Sequence, residues 1–93
     1  MSQRQRTILI VDDEEDVLDL LQLVFETNGF AVRRASTGKT AVSSAYEHPP
    51  DVVLLDVMMP EMDGWQVLRV LKGDERTRRV PVVMLSARAE RRD

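Results

Sequence analysis

The sequence predicts an open α/β fold, a parallel sheet with helices on both faces, and three observations point to it. Apolar runs alternate with amphipathic segments from one end of the chain to the other. Three of those runs, Ile8-Leu9-Ile10-Val11, Val52-Val53-Leu54-Leu55 and Val82-Val83-Met84-Leu85, are continuously apolar, as strands covered on both faces are. Each is followed at once by a polar residue, Asp12, Asp56 or Ser86, at the carboxyl end where open α/β sheets bind their ligands.

After the first strand, Val17, Leu20, Leu21, Val24 and Phe25 fall at i, i+3, i+4, i+7 and i+8, the spacing of one helix face, and Asn28-Gly29 ends that helix. The segment from Phe30 to Ala35 is a weaker strand whose Arg33 and Arg34 suit a sheet edge. A second helix starts near Thr37-Gly38, carries Ala41, Val42, Ala45 and Tyr46, and stops at His48-Pro49-Pro50. His48 there reads as a surface loop residue. The third strand follows, then a third helix from about Gly64 using Trp65, Leu68, Val70 and Leu71. A charged connection from Lys72 to Arg79 leads to Pro81, which opens the fourth strand. Parallel crossovers are right-handed in nearly all cases, so the elements wind into an open sheet with helices on both faces, flavodoxin-like in type, and the order expected of that class is 2-1-3-4.

Ninety-three residues make one small domain, and 43% hydrophobic with 31% charged residues is an ordinary globular composition. A formal charge of −3 argues against a general nucleic-acid binder, although eight of thirteen basic residues lie from Arg69 onward. The absence of cysteine excludes thiol chemistry and thiolate metal sites. No apolar run approaches the ~18 residues of a membrane span, and the expectation is a cytoplasmic protein.

Asp12 and Asp13 at the end of the first strand and Asp56 at the end of the third bring three carboxylates to one rim of the sheet. Like charges at close range raise one another's pKa or require a cation, and an all-oxygen ligand set selects a hard one, Mg²⁺ or alternatively Mn²⁺. Asp12-Asp13-Glu14-Glu15-Asp16 also reads as an acidic helix N-terminus with Asp13 as its cap. That account does not extend to Asp56, an acid directly after four apolar strand residues. At the fourth strand, Ser86 offers a hydroxyl to an anion at the same rim.

Three stretches together, Ile10-Val11-Asp12-Asp13, Leu55-Asp56-Val57-Met58-Met59-Pro60-Glu61-Met62-Asp63-Gly64 and Leu85-Ser86-Ala87, resemble the receiver domain of two-component response regulators. The resemblance implies that Asp56 accepts a phosphoryl group from the phosphohistidine of a sensor histidine kinase or phosphotransfer protein. It further implies Mg²⁺ held by Asp13, by Asp12 mainly through water, by Asp56 and by the backbone carbonyl of Met58. Ser86 and the Ala87 backbone would contact the phosphoryl group, Pro60 and Gly64 would shape the adjoining loop, and the Met58 and Arg88 side chains would tune access of water. Such a domain phosphorylates itself and turns over no external substrate. Haloacid-dehalogenase-like phosphohydrolases, which also use an aspartyl nucleophile, place a second Asp two residues later, where this chain has Met58.

The resemblance runs from about Thr7 to Asp93, where a fourth helix should begin, so the fifth strand–helix unit of a receiver lies outside the sequence. With it go a lysine expected to pair with the phosphoryl group and an aromatic switch residue, and neither Lys39 nor Lys72 stands where it could replace that lysine. The expectation is therefore a truncated receiver with a free strand edge and an uncovered apolar face, both inviting a homo-oligomer. An interaction module without efficient phosphorylation is the alternative reading.

Overall fold

The computed structural model describes residues 4–85. The elements run β1 (Thr7–Val11), α1 (Glu15–Thr27), β2 (Ala31–Ala35), α2 (Gly38–Glu47), β3 (Val52–Asp56), α3 (Gly64–Lys72) and β4 (Val82–Leu85). The four strands are all parallel in the order β2-β1-β3-β4, so the predicted topology holds.

Alternation along the strands divides the core in two. Leu9, Val11, Val53 and Leu55 face α2 and α3 and meet Ala41, Ala45, Val67 and Leu71 there. Ile8, Ile10 and Leu54 face the other way and meet Leu18 of α1, with Leu21 and Phe25 packed alongside. Phe25 also meets Phe30 edge to face, ring centroids 5.6 Å apart, which draws the end of α1 onto the start of β2.

Two helix faces differ from the expectation. In α1 the fully buried residue is Leu18, whereas Leu20 and Val24 are 60% and 44% exposed. In α3 the buried residues are Gly64, Val67 and Leu71; Leu68 is only partly buried, and Trp65 and Val70 face solvent. Both helices carry apolar residues around more than one face, and the sheet selects the one that meets it. For α2 the reading of Ala41, Val42, Ala45 and Tyr46 as the packed face is confirmed.

Helix starts follow side-chain chemistry. Thr37 caps α2 by accepting the Thr40 N–H at 3.1 Å, and Asp63 with Gln66 forms a reciprocal capping box on α3. Asp13 is not the cap of α1. Glu14 holds that position without a side-chain capping bond, and Asp12 Oδ1 accepts the Glu14 N–H at 2.9 Å instead.

The connection before β4 is more than a solvated charge run. Thr77 is buried and donates to the Leu71 carbonyl at 2.6 Å, and Lys72 Nζ donates to the carbonyls of Arg78 and Val80. This fastens Lys72 to the lead-in of β4, at the opposite end of the sheet from Asp12 and Asp56. Arg76 lies 3.9 Å over the Tyr46 ring, tying the same connection to α2. Among the described residues no helix is long and apolar enough to cross a membrane.

Candidate functional site

Strand register builds the site. Val11 of β1 stands opposite Leu55 of β3, so the next residues along the two parallel strands, Asp12 and Asp56, fall side by side at the carboxyl rim. Asp12 is 2% exposed and Asp56 1%, while Asp13, one step beyond, is half-buried. One carboxylate oxygen from each of Asp12, Asp13 and Asp56 lies within 4.8 Å of the others. The three acids read from the sequence are thus brought together.

The backbone around them is tightly specified. The Asp12 N–H donates to the Ala35 carbonyl at 3.2 Å, which links the site to the end of β2. Asp56 Oδ1 accepts the Met58 N–H at 3.3 Å, turning the chain away from the strand. Gly64 N–H then donates to the Val57 carbonyl at 2.9 Å, and a Cβ on Gly64 would collide with the Asp56 carbonyl oxygen. No side chain fits there, so the glycine is what lets α3 start directly against the last residue of β3. Between them, Glu61 has a φ of 68°, a left-handed conformation unusual for a residue with a side chain, and the Met62 N–H donates to the Pro60 carbonyl at 2.7 Å.

A cleft of about 670 Å³ opens beside the acids, lined by Asp13, Val57, Met58, Met59, Pro60, Asp63 and Trp65. Met58 and Trp65 are each half exposed on its walls. A second cleft of about 520 Å³, lined by Arg4, Gln5, Arg6, Asn28, Gly29 and Phe30, lies at the amino end of the sheet, remote from these carboxylates.

The donor set fits a small hard cation. It is oxygen only, with no sulfur or imidazole in the group, and two of its three carboxylates are almost wholly withdrawn from solvent. Oxygen ligands of this kind suit Mg²⁺ or Mn²⁺ over Zn²⁺ or Cu²⁺, and burial makes the neutralisation a cation supplies worth more. Ser86, Ala87 and Arg88 lie outside the described residues. Sequence reasoning missed the close approach of Gly38 to the loop after β3, for which nothing local in the chain is a signal.

Comparison with known proteins agrees with this arrangement. A family model for the response regulator receiver domain matches residues 8–93. The transcriptional regulatory protein KdpE of Mycobacterium tuberculosis is 43% identical over 86 residues, covering 92% of this chain and 37% of that protein, so the chain spans well under half of it. The N-terminal domain of a response regulator receiver protein from Methanoculleus marisnigri JR1 superposes with a TM-score of 0.85 at 42% identity, over 87% of this chain and 66% of that one. The receiver domain of sensor histidine kinase PA1611 from Pseudomonas aeruginosa PAO1, which has a magnesium ion coordinated in its active-site cleft, superposes with a TM-score of 0.88 at 30% identity. That match covers 95% of this chain and 72% of that one.

Proposed function

The chain belongs to the response regulator receiver domain family, a family of signalling domains, and on that premise we propose that Asp56 accepts a phosphoryl group in a Mg²⁺-dependent reaction. The observation that carries this reading is the convergence of Asp12, Asp13 and Asp56 within 4.8 Å at the carboxyl rim. Asp12, Asp13, Asp56 and the Met58 backbone carbonyl are the groups assigned to hold the cation, with Mn²⁺ an acceptable substitute by the same oxygen chemistry. When bound, the cation neutralises charge on the transferring phosphoryl oxygens.

In the transfer, a carboxylate oxygen of Asp56 attacks phosphorus, a P–O bond forms, and the P–N bond to the donor imidazole breaks with its electron pair returning to nitrogen. The protein contributes position more than covalent chemistry. The Met58 N–H donates to Asp56 Oδ1 at 3.3 Å and so helps to orient the carboxylate that attacks. Ser86 and the Ala87 backbone are assigned to the phosphoryl oxygens, and Arg88 with the exposed Met58 side chain to control of water. The donor we assign is a sensor histidine kinase or phosphotransfer protein, met by this chain in the cytoplasm, with no turnover of an external substrate.

A second copy of the chain is the further partner proposed. Leu20, Leu23 and Val24 form an exposed apolar stripe on α1, and Val83 of β4 is half exposed. An apolar stripe laid antiparallel on its own copy is self-complementary, as a two-fold interface requires. Light scattering at tens of micromolar should report a species larger than a monomer; a monodisperse monomer would remove this part of the proposal.

The main test is intact mass after incubation with acetyl phosphate and Mg²⁺. An added mass of about 80 Da, one phosphoryl group, should appear on the parent protein, be absent without Mg²⁺, and be absent from Asp56→Asn. Labelling that survives Asp56→Asn would sink the assignment.

A further inference from the structure

The loop from Val57 to Asp63 carries the Met58 carbonyl and follows directly from Asp56, yet its own geometry is not self-sufficient. Glu61 holds a left-handed φ of 68°, and conformations of this kind persist only where the surroundings impose them. One constraint is Gly64 against the Asp56 backbone. The other comes from a different element. Gly38, buried as the first residue of α2, faces Met62: a Cβ at position 38 would lie 2.8 Å from the Met62 carbonyl oxygen and 2.9 Å from both its Cβ and Cγ.

Gly38 does not owe its glycine to backbone conformation, since Gly29 is the glycine with positive φ and Gly38 begins an ordinary helix. Alanine is the better helix former at such a position. Space for Met62 is therefore the reason that remains, and the contact with Met62 joins α2 to the loop.

We propose that Gly38 is a positioning residue for the metal pocket: its bare Cα lets Met62 seat against α2, and the seated loop holds Met58 and Asp56 in place for the cation. This rests on the Mg²⁺ reading above. A methyl group at position 38 pushes on Met62 backbone as well as side chain, so the loop cannot yield by rotating the side chain alone. The displacement passes along four residues to Met58, whose N–H bonds the Asp56 carboxylate. Supporting groups of this kind affect metal affinity without touching the metal.

The test is a Mg²⁺ titration followed by emission of Trp65, the single tryptophan of the chain, which lines the same cleft as Asp13. Gly38→Ala should weaken Mg²⁺ binding by about tenfold while retaining its helix content by circular dichroism. Gly73→Ala, where a Cβ meets only the Arg69 and Val70 carbonyls at 3.4 and 3.7 Å, should bind as the parent does. Met62→Gly placed on Gly38→Ala removes two of the three atoms the methyl group strikes and should restore part of the lost affinity, an outcome that general loss of helix stability does not produce. Mg²⁺ affinity of Gly38→Ala within about twofold of the parent, well below the loss of about tenfold or more expected for supporting residues, overturns the proposal. If the parent itself binds no Mg²⁺, the metal reading fails on its own, and amide hydrogen exchange then decides. Gly38→Ala should speed exchange at Met62 and Gly64 and leave β1 unchanged, and unchanged exchange at those two amides also overturns the proposal.

Discussion

Aspartate does opposite work at the two ends of the sheet. At the amino end, Asp51 just before β3 is surrounded by the protein's own donors. Its Oδ2 accepts the Thr7 N–H at 2.7 Å, and the Arg4 guanidinium donates to both carboxylate oxygens at 3.2 and 2.9 Å. The Arg4 hydrogen bond, reinforced by the Thr7 N–H, holds this carboxyl well below the usual carboxylate range. At the carboxyl end, Asp12, Asp13 and Asp56 each bring a carboxylate oxygen within 4.8 Å of the others. One acid completes the fold, whereas the three together offer an all-oxygen donor set compatible with a cation. What separates the two cases is the chemistry of the neighbours, because the residue type and its position at a strand terminus are the same.

The largest effect is expected where the contrast is sharpest. Asp56→Asn should abolish the phosphoryl adduct and weaken Mg²⁺ binding by one to two orders of magnitude, of the size seen when groups around a metal are removed. Asp12→Asn keeps an Oδ1 to accept the Glu14 N–H and removes one of three converging carboxylates, two of which are buried. Its thermal midpoint without metal should therefore rise above that of the parent, and the rise that Mg²⁺ gives the parent should be lost. A metal-free Asp12→Asn protein that melts lower than the parent would show that the three carboxylates are not in tension.

Next in size is the helix that abuts Asp56. Asp63→Ala removes one half of the α3 capping box and should cost about 1 kcal/mol of stability, measured by urea unfolding. If the loop and α3 start are coupled as the Gly64 contact implies, the same variant should also bind Mg²⁺ more weakly.

How much of this was legible beforehand depended on how local the signal is. Asp56 stands out because an acid after four strand residues is an anomaly within five positions, and parallel register then carries it beside Asp12. Crossover handedness gave helices on both faces, and the strand order came with the flavodoxin-like class that the alternation and the receiver resemblance implied. The faces of α1 and α3 were read less well. Val17, Leu18, Leu20, Leu21, Leu23, Val24 and Phe25 cover most of a helix circumference, and only contact with Ile8, Ile10 and Leu54 picks out Leu18, Leu21 and Phe25. Arg33 was read as the polarity of an edge strand, yet its guanidinium crosses to the end of α2 and donates to the carbonyls of Ser44 and His48 at 3.0 and 2.7 Å. The approach of Gly38 to Met62 joins separate elements and leaves no periodic trace.

At the amino end the expected effect is smaller and of a different kind. Asp51→Asn should lower stability at neutral pH and leave Mg²⁺ affinity unchanged, since the substitution lies at the far end of the strands. Its pH dependence has a definite sign. The folded carboxyl is depressed below its unfolded value of 3.8, so near and below that pH the unfolded chain binds more protons and stability falls as pH falls. The Asp51 contribution is complete above the unfolded value and is lost on acidification through the folded one. Asp51→Asn should flatten this acid limb in urea unfolding followed across pH; a limb as steep as the parent's would mean that other carboxylates carry it.

The smallest effect belongs to Asp74, which repeats the Asp51 arrangement on an exposed connection. Its carboxylate accepts the Arg76 backbone N–H at 2.8 Å and the Arg76 side chain at 2.9 Å, and the side-chain hydrogen bond is the larger cause that lowers its pKa to about 2. The sign is that of Asp51, with the contribution present above pH 3.8 and lost toward pH 2. Solvent and salt reach this pair, however, so Asp74→Asn should show a difference from the parent at low ionic strength that shrinks at 1 M salt, where the Debye length is about 3 Å. Asp51, whose Oδ2 bonds the Thr7 N–H at the junction of two strands, should keep more of its effect in salt. Equal salt sensitivity in the two variants would mean that the amino-end aspartate acts as a surface ion pair and not as part of the strand framework.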